Sequence, residues 1–320
     1  MGRSGQSHLV ISLDFELMWG VRDHVSIAQY GANVRGVRNA VPRILDLFER
    51  FDVRATWATV GFLFCETKEE LVASLPSLQP TYERSSFSNY GYLDEIGNSE
   101  KDDPYYFGFS LLKKIQSCTS QEIATHTFSH YYCLEQGQTP NQFKADLDAA
   151  IAAAGRLGTA LRSIVFPRNQ YGAEHLKIVG ASGLRTFRGS EQSWLYQPAS
   201  ADAQFMLRRA GRLADQYVNL SGHHVQFPDR RAGLVEVASS RFLRPYSSVL
   251  APLDNLRLSR IKRAMEAAAA DKGVFHLWWH PHNFGLNTDE NLAFFTNILR
   301  HFERLRGEQG MQSSRMDDFA

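Results

Sequence analysis

Short apolar runs alternate with longer stretches of helical spacing along most of the chain. Leu9-Val10-Ile11-Ser12-Leu13 is a run of the first kind, and it ends abruptly in Asp14-Phe15-Glu16. Its length and β-branched content predict a buried parallel strand. Val37, Val41, Ile44, Leu45, Leu47 and Phe48 fall at helical spacing and predict a helix over 37–51. A second strand is predicted over 55–61. This βαβ start implies a parallel sheet with right-handed crossovers. The rhythm resumes with strands at 122–125, 163–166, 184–187, 234–237 and 274–279, and with helices at 141–157, 174–180, 255–270 and 291–305. The last fifteen residues are polar and are expected to fray. Two stretches break the pattern. Residues 65–118, rich in Pro, Ser, Asn, Asp and Tyr between 75 and 109, read as an insertion that forms a lid; residues 190–232 read as irregular. Strands and helices alternating from end to end predict one α/β domain over 1–320.

Composition narrows the class. With 43% hydrophobic and 22% charged residues in 320, the chain can bury a large core without disulfides, and global disorder is excluded. Thirty-five basic and thirty-four acidic residues leave +1, so no general attraction to nucleic acid is expected. Arg outnumbers Lys 27 to 8; Arg forks suit planar anions, although genomic base composition produces the same bias. Cys65, Cys118 and Cys133 are widely spaced with no CxxC, which gives no sign of a disulfide framework. The first apolar stretch is too short and too charged for a signal segment, and no run has the length of a membrane span, so a cytoplasmic location is expected.

Four constellations bear chemistry, each at a predicted strand end, where catalysis in α/β folds collects. Asp14 and Glu16 point to one side if the strand continues, and two facing carboxylates call for a proton or a cation; solvated loop acids are the bland alternative. His126 and His130 stand at i and i+4 and share a face if they lie on one helical turn, a spacing able to bind a metal ion. The Glu of HExxH is missing, which disfavours that protease class. Arg168, in Phe166-Pro167-Arg168-Asn169-Gln170-Tyr171-Gly172, is either a turn residue or a fork holding a carboxylate. His280 and His282 follow the last strand and can serve as a general acid. His276, alternating within that strand, reads as a packed core residue, and His223-His224 as loop.

Taken in order, these segments resemble the polysaccharide deacetylase family, also called carbohydrate esterase family 4 or the NodB-homology domain. The matching stretches are Ser12-Leu13-Asp14-Phe15-Glu16, His126-Thr127-Phe128-Ser129-His130, Phe166–Gly172 and Trp278-Trp279-His280, with 55–61 similar to the strand that follows the family's first motif. The family's Asp-Asp dipeptide is replaced by Asp14-x-Glu16, and its Asp-bearing motif, which orients the catalytic His, has only Asp215 and Glu236 as weak counterparts. The resemblance implies a distorted (β/α)7-type barrel and one divalent ion, zinc first, held by Glu16, His126 and His130. It implies Asp14 as base, Arg168 paired with Asp14, and His280 as acid. The roles of Asp14 and Glu16 can be exchanged, as can those of His280 and His282. Trp19, Tyr171, Trp279 and His282 are the expected substrate contacts, the tryptophans being core aromatics otherwise. The implied activity is removal of acetyl from an N-acetylated sugar, expected to be a cytosolic precursor of a bacterial surface polysaccharide. A hydrolase of small non-sugar amides and a degenerate glycan-binding protein are the alternatives. The number of subunits is left open.

Overall fold

The structure, a computed structural model, describes residues 5–191, 193, 195, 196 and 206–320. Residues 192, 194 and 197–205 of the expected irregular segment lie outside the described residues. Strand β1 (His8–Phe15) is the centre of the sheet, paired in parallel with β2 (Ala55–Thr59) on one side and β9 (Val274–Trp279) on the other. It is buried almost throughout, as an apolar run with neighbours on both sides requires. From β2 the parallel order continues through β3 (Glu122–Thr125), β4 (Ser163–Ile164) and β5 (Thr186–Phe187) to β7 (Leu234–Glu236), on which β6 (Asp229–Arg231) folds back antiparallel. On the far side, β8 (Arg241–Phe242) pairs with β9.

The two ends of this path meet in one stretch of chain. β7 runs beside β5, and β8, a few residues later, runs beside β9. Ser239 donates its backbone N–H to Gly189 O on one flank at 2.9 Å, while Ser240 donates to His276 O on the other at 2.8 Å. Segment 234–242 is therefore a single bent stave that closes the sheet. β1, β2, β3, β4, β5, this segment and β9 are its seven staves, the (β/α)7-type barrel that the resemblance implies.

Inward positions follow the period of two. Val10, Ala58, Ala124, Val165, Val235, Val237 and Val274 form a small apolar cluster of their own, capped by Met316, separate from the main core. Below it lie Thr56, Glu122, Ser163 and Thr186; above it lie Ser12, Asp14, Arg188 and His276. The main core lies between sheet and helices α1 (Ile27–Arg50), α2 (Lys68–Ala73), α3 (Phe109–Ser117), α4 (Pro140–Arg156), α5 (Ala173–Ala181), α7 (Asp254–Ala270) and α8 (Thr288–Gln309); α6 (Met206–Asp215) completes the set of helices. Among the described residues no helix is long and apolar enough to cross a membrane.

Three expectations need correction. Helix α1 starts ten residues early, capped by Ser26 and Gln29. Its first turns carry Gly31 and Gly36, poor helix formers; a Cβ at Gly36 would stand 1.9 Å from Gly285 O, so tertiary contact requires glycine there. The C-terminal stretch is not frayed: β10 (Gln312–Ser314) adds in parallel to β1, and Met316 is buried. Residues 65–118 are anchored rather than lid-like. Asn89 donates to Trp19 O and Ser129 O at 3.0 and 2.8 Å, and Arg22 donates to Ser88 O at 2.6 Å. The segment braces the site from behind, and none of its residues lines the cavity described next.

Candidate metal centre

Asp14 is the penultimate residue of β1 and Glu16 lies just beyond it. Both side chains face the C-terminal mouth of the barrel and are 3% exposed. Gly20 makes room for Glu16, since a Cβ there would stand 2.0 Å from the Glu16 carboxyl carbon.

His126 and His130 are not on a helix. The chain leaves β3 and turns sharply, with Thr127 and His130 both left-handed (φ 64° and 60°). Buried Asp146 of α4 holds this turn: it accepts from the Phe128 N–H at 2.7 Å, from the Ser129 N–H and hydroxyl, and from Tyr90 OH at 3.0 Å. The turn brings the two imidazoles to 5.0 Å between centroids. Their Nε2 atoms stand 3.4 Å (His126) and 3.1 Å (His130) from Glu16 Oε2.

His126 tests whether this donor set suits a metal. Its Nδ1 lies 2.8 Å from Val165 O, which can only accept, so Nδ1 carries a proton. In the neutral ring Nε2 then presents a lone pair to a carboxylate oxygen, an arrangement that a cation between them relieves. Two ligands of a tetrahedral zinc stand about 3.3 Å apart, close to the distances seen. Glu16, His126 and His130 therefore fit a divalent ion.

The opposite oxygen of Glu16 faces the second pair. His280 Nε2 is 3.6 Å from Glu16 Oε1 and 3.8 Å from Asp14 Oδ2, and His282 Nε2 is 3.7 Å from Glu16 Oε1. Burial would lift both acids. Arg188, then His126 and His280, hold Asp14 below its ordinary value; His280, His126 and His130 hold Glu16 well below. Burial, with His280 adding to it, pushes His282 down to about 3.

Arg168 does not hold Asp14. Arg188, just past β5, does so as a fork, with Nη1 to Oδ1 at 2.6 Å and Nη2 to Oδ2 at 2.8 Å. Arg168, left-handed at φ 54°, pairs instead with Asp23 and stacks on Tyr132 at 4.1 Å. It keeps a place in the cavity wall beside its neighbour Asn169. Among the described residues, the family's Asp that orients the catalytic His has no carboxylate equivalent. Asp215 is buried among Arg241, Arg260 and Tyr196, and Glu236 pairs with Arg231. His280 Nδ1 meets Asn283 Oδ1 at 3.3 Å, and Asn283 Nδ2 donates to Tyr30 OH at 3.1 Å.

These groups surround a cavity of about 390 Å³ whose walls include Tyr30, Arg168, Phe242 and Trp278. His282 lines it too. Trp19, Trp279 and Tyr171 do not. Trp19 is buried and donates to Tyr106 O at 2.8 Å. Trp279 is buried between Phe284 and Phe295, because odd positions of β9 face the helices. Tyr171 packs on Phe166 and Phe187. Arg188 and Asn283 escaped sequence reasoning, and the signal was thin: a single Arg directly after a short apolar strand, and an Asn three residues beyond His280.

No family model matches the chain, and no curated protein matches it in sequence. Solved structures do match in fold. A protein of Mycobacterium smegmatis assigned as a polysaccharide deacetylase superposes with a TM-score of 0.58 at 14% identity, covering 100% of this chain and 91% of that one. Another so assigned, from Pseudomonas aeruginosa PAO1, gives 0.55 at 10% identity, covering 97% and 88%. The 4-alpha-glucanotransferase of Thermococcus litoralis gives 0.53 at 11% identity, covering 98% of this chain and 40% of that one. The chain thus has the polysaccharide-deacetylase fold, on which an enzyme of another name is also built.

Proposed function

We propose that the chain is a metal-dependent amide hydrolase that removes acetyl from an N-acetylated amino sugar. One observation carries the reading: a carboxylate between two histidines, a second carboxylate clamped by an arginine, and a partly exposed histidine share one cavity. Glu16, His126 and His130 would hold the ion, zinc being favoured by their nitrogen and carboxylate donors. Such an ion supplies Lewis acidity toward an amide carbonyl and toward water.

The chain's own groups do the rest. Asp14, kept ionised by Arg188, accepts the proton of the attacking water. His280 delivers a proton to the departing amine nitrogen, which leaves poorly without one. His280 suits that role better than His282: its side chain is 24% exposed against 3%, and His282, pushed down to about 3, holds no proton near neutrality. Asn283 orients the His280 ring from behind. Phe242 and Trp278, with ring centroids 4.8 Å apart, offer an apolar wall to a sugar face or an acetyl methyl.

The cavity volume supports a substrate presented as one or two sugar units rather than a long polymer strand. Amino sugars on nucleotide or lipid carriers, made in the cytoplasm as surface-polysaccharide precursors, are the class we propose. Mass-spectrometric metal analysis of wild type, His126→Ala and Glu16→Ala tests the site first. Near one equivalent in wild type, lost in both variants, is expected. Acetate release from UDP-N-acetylglucosamine and from chito-oligosaccharides then tests the substrate class. A wild type that takes up no metal on reconstitution would overturn the hydrolase in favour of a glycan-binding protein.

A further inference from the structure

Two polar residues inside the barrel have no part in the reaction just described. Ser12 on β1 and His276 on β9 are both fully buried, and Arg188 beside them is 1% exposed. We propose that Ser12 and His276 are positioning residues: a one-directional chain of hydrogen bonds runs from the Val237 carbonyl through them, fixing the Arg188 guanidinium and, through it, the Asp14 carboxylate. The inference rests on the hydrolase reading for the reaction it serves, but the chain of bonds is independent of it.

Each link dictates the next. His276 Nδ1 stands 3.0 Å from Val237 O, a pure acceptor, so Nδ1 bears the proton. Nε2 of the neutral ring is then an acceptor, and the Ser12 hydroxyl, 2.8 Å away, must donate to it. With its proton committed, the Ser12 oxygen accepts, and Arg188 Nη1 donates to it at 3.0 Å. A charged His276 would place a donor against Ser12 and a second cation near Arg188. Burial and Arg188 exclude it, pushing His276 down to about 3. Ser240 Oγ accepts from the His276 backbone N–H at 3.0 Å, tying this stretch of β9 to the closing stave.

The guanidinium is thus held on several sides. Ser12 lies below, Asn169 Oδ1 accepts from Nη2 at 3.0 Å, and the Trp278 ring covers one face at 4.2 Å. The two bonds to Asp14 take up the remaining fork. Without Ser12 the plane can pivot about the Asn169 contact, and the Asp14 lone pair loses its aim into the cavity. Positioning groups behind a reacting residue act in this way without touching substrate.

Ser12→Ala and Ser12→Thr, compared with wild type, provide the test. Kinetics of acetate release should show kcat lowered about 10-fold in Ser12→Ala, with KM and bound metal unchanged, and largely restored in Ser12→Thr, which keeps the hydroxyl. Equal kcat in Ser12→Ala and wild type would overturn the proposal, as would a loss of metal that accounts for the whole drop. Two readouts need no activity. Nitrogen-15 spectra of labelled histidine should show His276 as the Nδ1–H tautomer; the Nε2–H tautomer would break the chain at its second link. Arg188 guanidinium protons should exchange with water about ten times faster in Ser12→Ala than in wild type. Unaltered exchange would mean that Ser12 anchors nothing. A wild type with the expected tautomer and exchange, yet no acetate release from any N-acetyl sugar, would refute the hydrolase and leave the hydrogen-bond chain standing.

Discussion

The barrel holds two buried polar layers separated by the apolar layer of Val10, Ala58, Ala124, Val165 and Val274, and each layer has a carboxylate at its centre. In the lower one, Glu122 accepts from the hydroxyls of Thr56, at 2.6 Å, and Ser163, and from the Asp317 N–H at 3.2 Å. Burial, reinforced by the Asp317 charge, pushes Glu122 up to about 7. In the upper layer Asp14 is as deeply buried, and burial alone would raise it, yet it lies below its ordinary value because Arg188, His126 and His280 together outweigh the burial. Both layers occupy inward positions of the same barrel, the lower one on β2 to β5 and the upper one on β1, β9 and the end of β5. The presence of a cation decides which acid stays ionised, and so which layer can take a proton from water. The lower layer instead joins strands β2, β3 and β4 to the C-terminal segment, in keeping with a stabilising end opposite the candidate metal centre.

The most severe way to break this contrast is to remove the cation. Arg188→Ala should lower kcat on the order of 10³-fold, by leaving Asp14 unpaired and misaimed. Arg188→Lys should not restore it, because an ammonium cannot make the fork. Arg168→Ala should change KM more than kcat. Steady-state kinetics of the three variants checks the order; an Arg168→Ala defect larger than that of Arg188→Ala would reverse the assignment.

Neutralising the lower acid should sharpen the contrast from the other side. The folded-state value of Glu122, about 7, is above its unfolded one, so the native state binds that proton more tightly. The associated stability is fully present below about pH 4.3 and is lost as pH rises through 7. Glu122→Gln, permanently neutral, should therefore match wild type in urea at pH 4 and exceed it by on the order of 3–4 kcal/mol at pH 8. Identical wild-type and variant curves at pH 8 would count against a protonated Glu122.

Asp146→Asn comes next. It weakens the brace beneath the His126–His130 turn and should reduce zinc affinity about 10-fold by competition with a chelator. Trp19→Phe should have the smallest effect. It removes a buried hydrogen bond to the Tyr106 carbonyl, so a loss of about 1 kcal/mol in stability is expected, with KM unaltered.

How much of this the amino-acid order reveals follows from the range of the forces. Strands β1 and β9 were legible because buried parallel strands are uninterrupted apolar runs, and the alternation along β9 correctly set His276 inside. Glu16, His126 and His130 lie together, as the family resemblance implies, but through a left-handed turn rather than the helical turn that the spacing of the two histidines suggests, since Asp146 supplies acceptors that propensity cannot anticipate. Arg188 was invisible for a different reason. It lies 174 positions from Asp14, and nothing local distinguishes it from Arg168, which sits beside Pro and Gly in a recognisable motif. The seven-stave closure agrees with the barrel that the resemblance implies, although only residues 234–237 of the bent stave read as a strand and β8 escaped the pattern.

The central place of β1 also bears on how the molecule comes into being. On one side its partners are β2 and, at its start, β10, where Leu9 pairs with Ser313; on the other, His8 pairs with Val274. Glu16 and His280 cannot meet until almost the entire chain has emerged and the largest loop in the topology has closed. Entropy makes such distant pairings slow to form, and intermediates lacking β9 expose a long apolar strand edge. The mouth that holds the candidate metal centre is consequently among the last parts to assemble, so an ion captured there would report the completion of folding rather than seed its start.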